Sequence, residues 1–459
     1  MPLQTDAELH LVMYPWLAFG HISPFVQLAR KLAALPGIRT TFITTSGNVP
    51  RVTELLSGSP NVSIHPLRLP HVEGLPPGIE NTAEATPATA ELLKVAVDLT
   101  QPDVATLLAR LRPHAILYDC CQQWMPSIAR PLGVKALAFS VFSLVSGAYI
   151  TVPSRRSCSS ELHLPPPGFP TTSSITSIPK YQAKDISYVF KSFNGMPCVY
   201  DRHVSGHEAS DGIIFKSCME MEGPYINYVE SQFKKPVLLA GPVVPEPPKG
   251  KLETHWEEWL ESFPENSNSV IFCSFGSETF LSDEGIKELL LGLEMVGMPF
   301  IAVINLRKGD ESPEEVLKKK VPEGFEERVK GRGIVRTGWV QQQHILQHKK
   351  VGCYFCHAGL SSVVEGIVNE CRLVMLPQFG DQFFNAALFA GDLGVGVEVE
   401  RDGEDGSFTR EGVRDAVMKV MGDEKVKEKQ KELREFLLDK EVQGKFMVTF
   451  VEKLREMVV

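Results

Sequence analysis

The chain runs twice through one alternation, and this constrains its fold more than any other feature. From the N-terminus, apolar runs of strand length take turns with segments patterned for helices: "LHLVMYP", "SPFVQLARKLAAL", "RTTFITT", "PRVTELLSG" and "VSIHPLRL", then "HAILYD", "MPSIARPLG" and "KALAF". Strand and helix in alternation build a parallel sheet covered on both faces. After "GIIFKS" and "PVLLAGPVV" comes "PEPPKGKLE", residues 245–253, whose Pro and Gly content just past a strand marks an interdomain linker. A second series follows: "SVIFCSFGS", "DEGIKELLLGLEMVG", "PFIAVI", "GIVRTGW", "VGCYFC", "RLVMLPQ" and "GVGVEV". The expected architecture is α/β, with a first domain over 1–244, the linker, a second domain over 254–440, and a terminal helix over 441–459 able to pack back on the first. A length of 459 residues favours two such cores over one.

Composition narrows the function. With 43% hydrophobic and 22% charged residues the chain reads as an ordinary soluble protein, and a net charge of −9 offers nothing to nucleic acid or to an anionic membrane. "MPLQTDAELHLVMYPW" has two acids and no basic leader, so no secretory signal is expected. The apolar stretch 136–152 is short and broken by Ser, Gly and Thr, which suits a buried strand running into a buried segment better than a membrane span. Nine scattered cysteines fit reduced thiols in the cytoplasm. Cys353 and Cys356 form a CxxC inside a strand pattern, where they point to opposite faces and belong to the core. Residues 153–210, rich in Ser and Pro, read as loops and short helices on the surface. The acid-rich "RDGEDGSF" lacks the ligand spacing of a calcium loop and reads as a surface hairpin, and the charged "EKVKEKQKELREFLLDK" reads as the solvated face of a packed helix.

The chemistry gathers where strands end. In "VGCYFC", "HAGLSS", "VVEGIVNE" a strand, a small-residue turn and a helix follow one another, so the free amides at Gly359 to Ser362, with the Ser362 hydroxyl, could hold an anion. There is no P-loop Lys in this turn and no GxGxxG after the first strand. In the first domain, His21 opens a helix after the first strand, and Asp119 closes "HAILYD" on the same sheet edge, where it can orient His21 through one ring nitrogen. The positive helix end is expected to disfavour the imidazolium and so keep a base available.

The longer context is more specific. Residues 339–382 read "WVQQQHILQHKKVGCYFCHAGLSSVVEGIVNECRLVMLPQFGDQ", a box opening with Trp and closing with an acid and Gln. This resembles the signature of the plant UDP-dependent glycosyltransferases, and "WLAFGHISPF", "AGPVVPEPP" and "FCSFGSE" extend the resemblance along the chain. It implies two Rossmann-like domains facing each other across a cleft, the GT-B architecture. It also implies roles. Trp339 would stack on uracil and the Val340 backbone would pair with its edge. Glu365, with Gln342, would take the ribose hydroxyls. His357, Gly359, Ser362 and Ser277 would hold the diphosphate, and Asp381 and Gln382 the transferred sugar, the closing Gln going with glucose. His21 and Asp119 would be the catalytic dyad of an inverting transfer from UDP-glucose or a related UDP-sugar. Leu360 and Ser361 depart from the usual Trp and Asn, which loosens the assignment of the sugar.

The same comparison points to the branch that extends sugars already attached to flavonoids, terpenoids or steroids, with an aglycone hydroxyl as the alternative acceptor. Trp16 and Phe142 would line the acceptor side. No Asp-x-Asp motif occurs near the box, so no metal and no further cofactor is expected, and the protein is expected to be monomeric. A non-catalytic nucleotide-sugar sensor would keep the box and lose the dyad, yet both dyad residues are present. A nucleotide-sugar epimerase does not go with the plant-type box.

Overall fold

The computed structural model describes residues 8–264, 269–307 and 312–458; residues 1–7, part of the stretch in which no export signal is expected, lie outside them. The first sheet consists of β1 (Leu9–Tyr14), β2 (Ile38–Thr45), β3 (Val62–Leu67), β4 (Ala115–Tyr118), β5 (Lys135–Ser140), β6 (Gly212–Phe215) and β7 (Val237–Leu239), in the order β3-β2-β1-β4-β5-β6-β7. The second consists of β8 (Val270–Ser274), β9 (Phe300–Val303), β10 (Gly333–Arg336), β11 (Val351–Cys356), β12 (Arg372–Met375) and β13 (Val397–Glu398), in the order β10-β9-β8-β11-β12-β13. Every pairing is parallel.

Burial explains the apolar runs. Along β1, Leu9, Leu11 and Met13 enter one core cluster while Val12 and Tyr14 enter the cluster on the other face. Cys353 and Cys356 divide in the same way, each into a different cluster, which makes both core residues. A third face is shared: Leu144, Tyr149 and Val229 of the first domain belong to one continuous cluster with Tyr354, Ile367 and Phe384 of the second. The terminal helix, Lys440–Val458, places Met447, Phe450, Val451 and Leu454 among core residues of the first sheet. In the preceding charged helix, Glu424–Leu438, Leu437 is buried and Leu433 and Phe436 are partly so, while the charged face stays in solvent. Among the described residues no helix is long and apolar enough to cross a membrane.

The segment 153–210, read as loops and short helices on the surface, does contain helices but is in part buried. It contains the helix Val199–Ala209, whose buried face carries Arg202, His203 and His207, and its Arg155 is fully buried. Apolar periodicity marks its inward face weakly, because Arg202, His203 and His207 sit there beside Tyr200 and Val204. The segment also ties the domains together: Ser174 N–H donates to Asp392 Oδ1 at 2.7 Å and Gly380 N–H to Asp185 Oδ2 at 2.8 Å. Arg202 is held by Asp98 through two parallel bonds of 2.9 and 2.6 Å, and Trp124 Nε1–H donates to the same carboxylate at 3.0 Å. Removing one partner of a buried ion pair leaves the other charge desolvated. Asp98→Ala should therefore lower unfolding stability by about 3 kcal/mol, read by denaturant titration.

In each sheet the strand order reverses once, between β1 and β4 and between β8 and β11. Crossovers leave in opposite directions there, and the crevice at the carboxyl ends of the strands is where ligands bind in such folds.

Candidate active site

Asp119 follows β4 directly and caps the short turn Cys120–Gln122. Its Oδ1 accepts from Cys120 N–H at 2.7 Å, and its Oδ2 accepts from Trp16 N–H at 3.1 Å and lies 2.8 Å from His21 Nδ1. The carboxylate is 1% exposed. Burial alone would raise its pKa, but the His21 charge and these hydrogen bonds outweigh it and hold the carboxyl below its ordinary value. His21 lies in the first turn of the helix Phe19–Ala33, which starts just after β1. Burial pulls its pKa down, yet the Asp119 charge and hydrogen bond win and the net shift is upward. The helix-end expectation is thus corrected: the carboxylate dominates, and the imidazole is a stronger base than a free one.

Phe142 meets the His21 ring edge to face, with centroids 5.2 Å apart. Trp16 reaches the cleft wall but is buried in the core, and its backbone N–H is spent on Asp119.

The second half sits at the other switch point. Ser277 follows β8, and His357 follows β11. Ala358 takes a left-handed φ of 61°, turning the chain sharply into the helix Leu360–Val368. Two glycines make room for the imidazole: a Cβ on Gly359 would lie 2.6 Å from His357 Nε2, and one on Gly276 would lie 2.9 Å from Cε1. Burial lowers the His357 pKa to about 4, so the ring is neutral, and its Nδ1 has no hydrogen-bond partner. Gly359 gives the helix no side-chain cap, and no acid occupies the first turn, which leaves the amides beside Ser361 and Ser362 available to an anion.

Glu365 accepts from Gln342 Nε2 at 2.7 Å and from Gln343 Nε2 at 3.3 Å, while Gln342 Oε1 accepts from Ser274 at 2.7 Å. Burial raises the Glu365 pKa, and the two amides oppose that rise. Asp381 is raised by burial as well and accepts from Asn385 at 3.1 Å. Gln382 is already engaged with its own loop: Oε1 accepts from Gln378 N–H at 3.0 Å, and Nε2 points to Thr279 at 3.4 Å. Val340 is half-buried against the shared core, whereas Trp339 is 82% exposed.

The two halves meet. A cleft of about 570 Å³ is lined from the first domain by Trp16, His21, Phe142 and Lys216 and from the second by Ser277, His357, Gly359, Leu360, Ser361, Ser362, Glu365, Asp381 and Gln382. Trp339, Val340 and Gln342 lie outside this lining. Thr82 donates across the cleft to Glu278 at 2.9 Å. Sequence reasoning missed Lys216, Gln343 and the Thr82–Glu278 bridge. Lys216 had a readable signal, because it directly follows β6 on the same ligand-binding edge.

Residues 227–452 match the model of the family described as UDP-glucoronosyl and UDP-glucosyl transferase. Along 99% of its length the chain is 52% identical to the anthocyanidin-3-O-glucoside rhamnosyltransferase of Petunia hybrida, covering 97% of that relative. The chain belongs to the UDP-glycosyltransferase family. It is an enzyme that transfers a sugar. An anthocyanidin 3-O-glucoside 2''-O-glucosyltransferase of Ipomoea nil is 39% identical, with 98% of both chains covered. The crystal structure of Glycyrrhiza uralensis UGT73P12 with glycyrrhetinic acid 3-O-monoglucuronide superposes with a TM-score of 0.77 at 23% identity, covering 98% of this chain and 96% of that one, which establishes the GT-B fold.

Proposed function

We propose that this glycosyltransferase moves glucose or a related sugar from UDP, with inversion, to a sugar hydroxyl of a flavonoid, terpenoid or steroid glycoside. The observation that carries the reading is the His21–Asp119 pair opposite an uncapped helix N-terminus across one cleft. The acceptor hydroxyl gives its proton to His21 Nε2, while Asp119 holds Nδ1–H and fixes the tautomer. The acceptor oxygen attacks the anomeric carbon from the face opposite UDP. The bond to UDP breaks with its electron pair on the diphosphate, where the amides of Leu360 to Ser362, Gly359, His357 and Ser277 meet the developing charge.

Trp339 offers its open face to uracil, and the Val340 backbone pairs with the base edge. Glu365 and Gln342, set by their mutual hydrogen bond, take the ribose hydroxyls, and Asp381 and Gln382 take the sugar. The glycoside acceptor is supported by the relatives, which are named for 3-O-glucoside substrates. It is supported also by a cleft wall that mixes Val141, Phe142 and Ile150 with the hydroxyls of Ser146 and Thr151.

The test is mass spectrometry of products from UDP-glucose, UDP-rhamnose and UDP-xylose, each offered with a flavonoid aglycone and with its monoglucoside, with and without EDTA. A sugar added to the glucoside at a rate unchanged by EDTA is expected. Addition to the aglycone alone would move the acceptor assignment, and a rate abolished by EDTA would end the metal-free mechanism. The enzyme is further proposed to act in the cytoplasm, a reading supported by nine free thiols among the described residues and checked by fractionation, and as a monomer, checked by light scattering.

A further inference from the structure

A UDP-sugar carries two negative charges on its diphosphate, and the cleft that would receive it is poor in cations. Its walls hold the carboxylates Glu278, Glu365 and Asp381 and three imidazoles: burial lowers His203 and His357 to about 4 and so leaves them neutral, while His21, whose pKa is raised, is engaged with Asp119. Among the described residues lining the cleft, Lys216 is the one ammonium or guanidinium. It comes from the first domain, directly after β6, and is 7% exposed.

A buried ammonium is normally paired. Lys216 makes no hydrogen bond or ion pair with the described residues; Asp381, Glu222 and Asp119 act on it only at longer range, while burial lowers its pKa to about 8. Besides the main cleft it lines a side pocket with Glu222, whose carboxylate is taken up by Ser217 and the Val145 amide, and with Leu360, Ser361 and Val364, the first turns of the helix whose amides stand free. An unpartnered cation on one domain thus borders an uncapped helix N-terminus on the other.

We propose that Lys216 is a catalytic residue of the donor site, contacting the diphosphate from the domain opposite the helix amides and stabilising the departing UDP. The proposal rests on the glycosyltransferase reading for its second half and not for its first. It gives the donor a contact in both domains, so that binding the diphosphate helps to hold the cleft closed.

The experiment is calorimetric titration of the full chain with UDP and, separately, with uridine, which shares the base and ribose but lacks the charge. Steady-state kinetics accompany it. Lys216→Met should weaken UDP binding roughly tenfold or more, the scale of a lost charge-assisted hydrogen bond. Uridine binding should be unchanged, and kcat should fall. Lys216→Arg, which keeps the charge, should recover most of the UDP affinity. Equal losses for UDP and uridine would mean a damaged site, and an unchanged UDP affinity with a raised acceptor KM would place Lys216 on the acceptor; either result overturns the proposal. Should the parent chain bind UDP yet transfer no sugar, the proposed reaction fails while the comparison of UDP with uridine still decides the diphosphate contact.

Discussion

His21→Ala should lower kcat by about 10³-fold, within the range that a positioned general base contributes, and leave UDP affinity unchanged. The split follows from the layout. His21 belongs to the first domain and makes its side-chain hydrogen bond to Asp119, whereas the helix amides, Glu365 and Gln342 belong to the second. In the parent enzyme, kcat/KM should rise with pH through the His21 pKa, which Asp119 holds above the ordinary 6.5 against the opposing pull of burial. The base is needed deprotonated, so activity is lost on the acid side. The rival base within the cleft is His203, which stands beyond Phe142 with ring centroids 6.2 Å apart. Burial lowers its pKa to about 4. If the His21→Ala enzyme kept the parental rate and His203→Ala did not, the proton would belong to His203 and the proposed mechanism would fall.

Much of this arrangement could be read from the chain because parallel strands are buried on both faces and announce themselves as unbroken apolar runs. A residue placed shortly after such a run lies on the ligand edge, which marks His21, Asp119 and His357 as candidates, while their roles, and Ser277 altogether, come from the resemblance to the plant glycosyltransferases. What could not be read depends on partners far away in the sequence. The sequence ties the basicity of His21 to its own helix, but the group that sets it, Asp119, follows β4, 98 positions along. The burial of the helix Val199–Ala209 is not legible because Arg202, His203 and His207 point inward, and Arg202 is tolerated there through Asp98, Gln123 and the carbonyls of Cys121 and Pro197. Lys216 has the right position, directly after β6, but its neighbours Leu360, Ser361 and Val364 belong to the second domain and lie far away in sequence.

Asp119→Asn tests how the pair works as a unit, and here both a large loss and a displaced pH profile are expected. The carboxylate serves three groups: Cys120 N–H on Oδ1, and Trp16 N–H with His21 Nδ1 on Oδ2. An amide has one oxygen to offer. If it faces His21 and Trp16, the Cys120 amide meets an NH₂ group; if it faces Cys120, the NH₂ donates to Nδ1, the imidazole proton moves to Nε2, and the base is blocked. Either way a well-placed acceptor is lost, so kcat should fall by about 10² or more. With the negative charge gone, burial, already the largest single influence on His21, is no longer outweighed by Asp119 and the imidazole pKa moves downward. The acid limb of kcat/KM should therefore move to lower pH in Asp119→Asn, so the variant loses relatively less activity than the parent on acidification. A merely structural role would depress the rate at every pH and leave the limb in place. That outcome would remove Asp119 from the proton-transfer step, while a shifted limb ties the carboxylate directly to the basicity of His21.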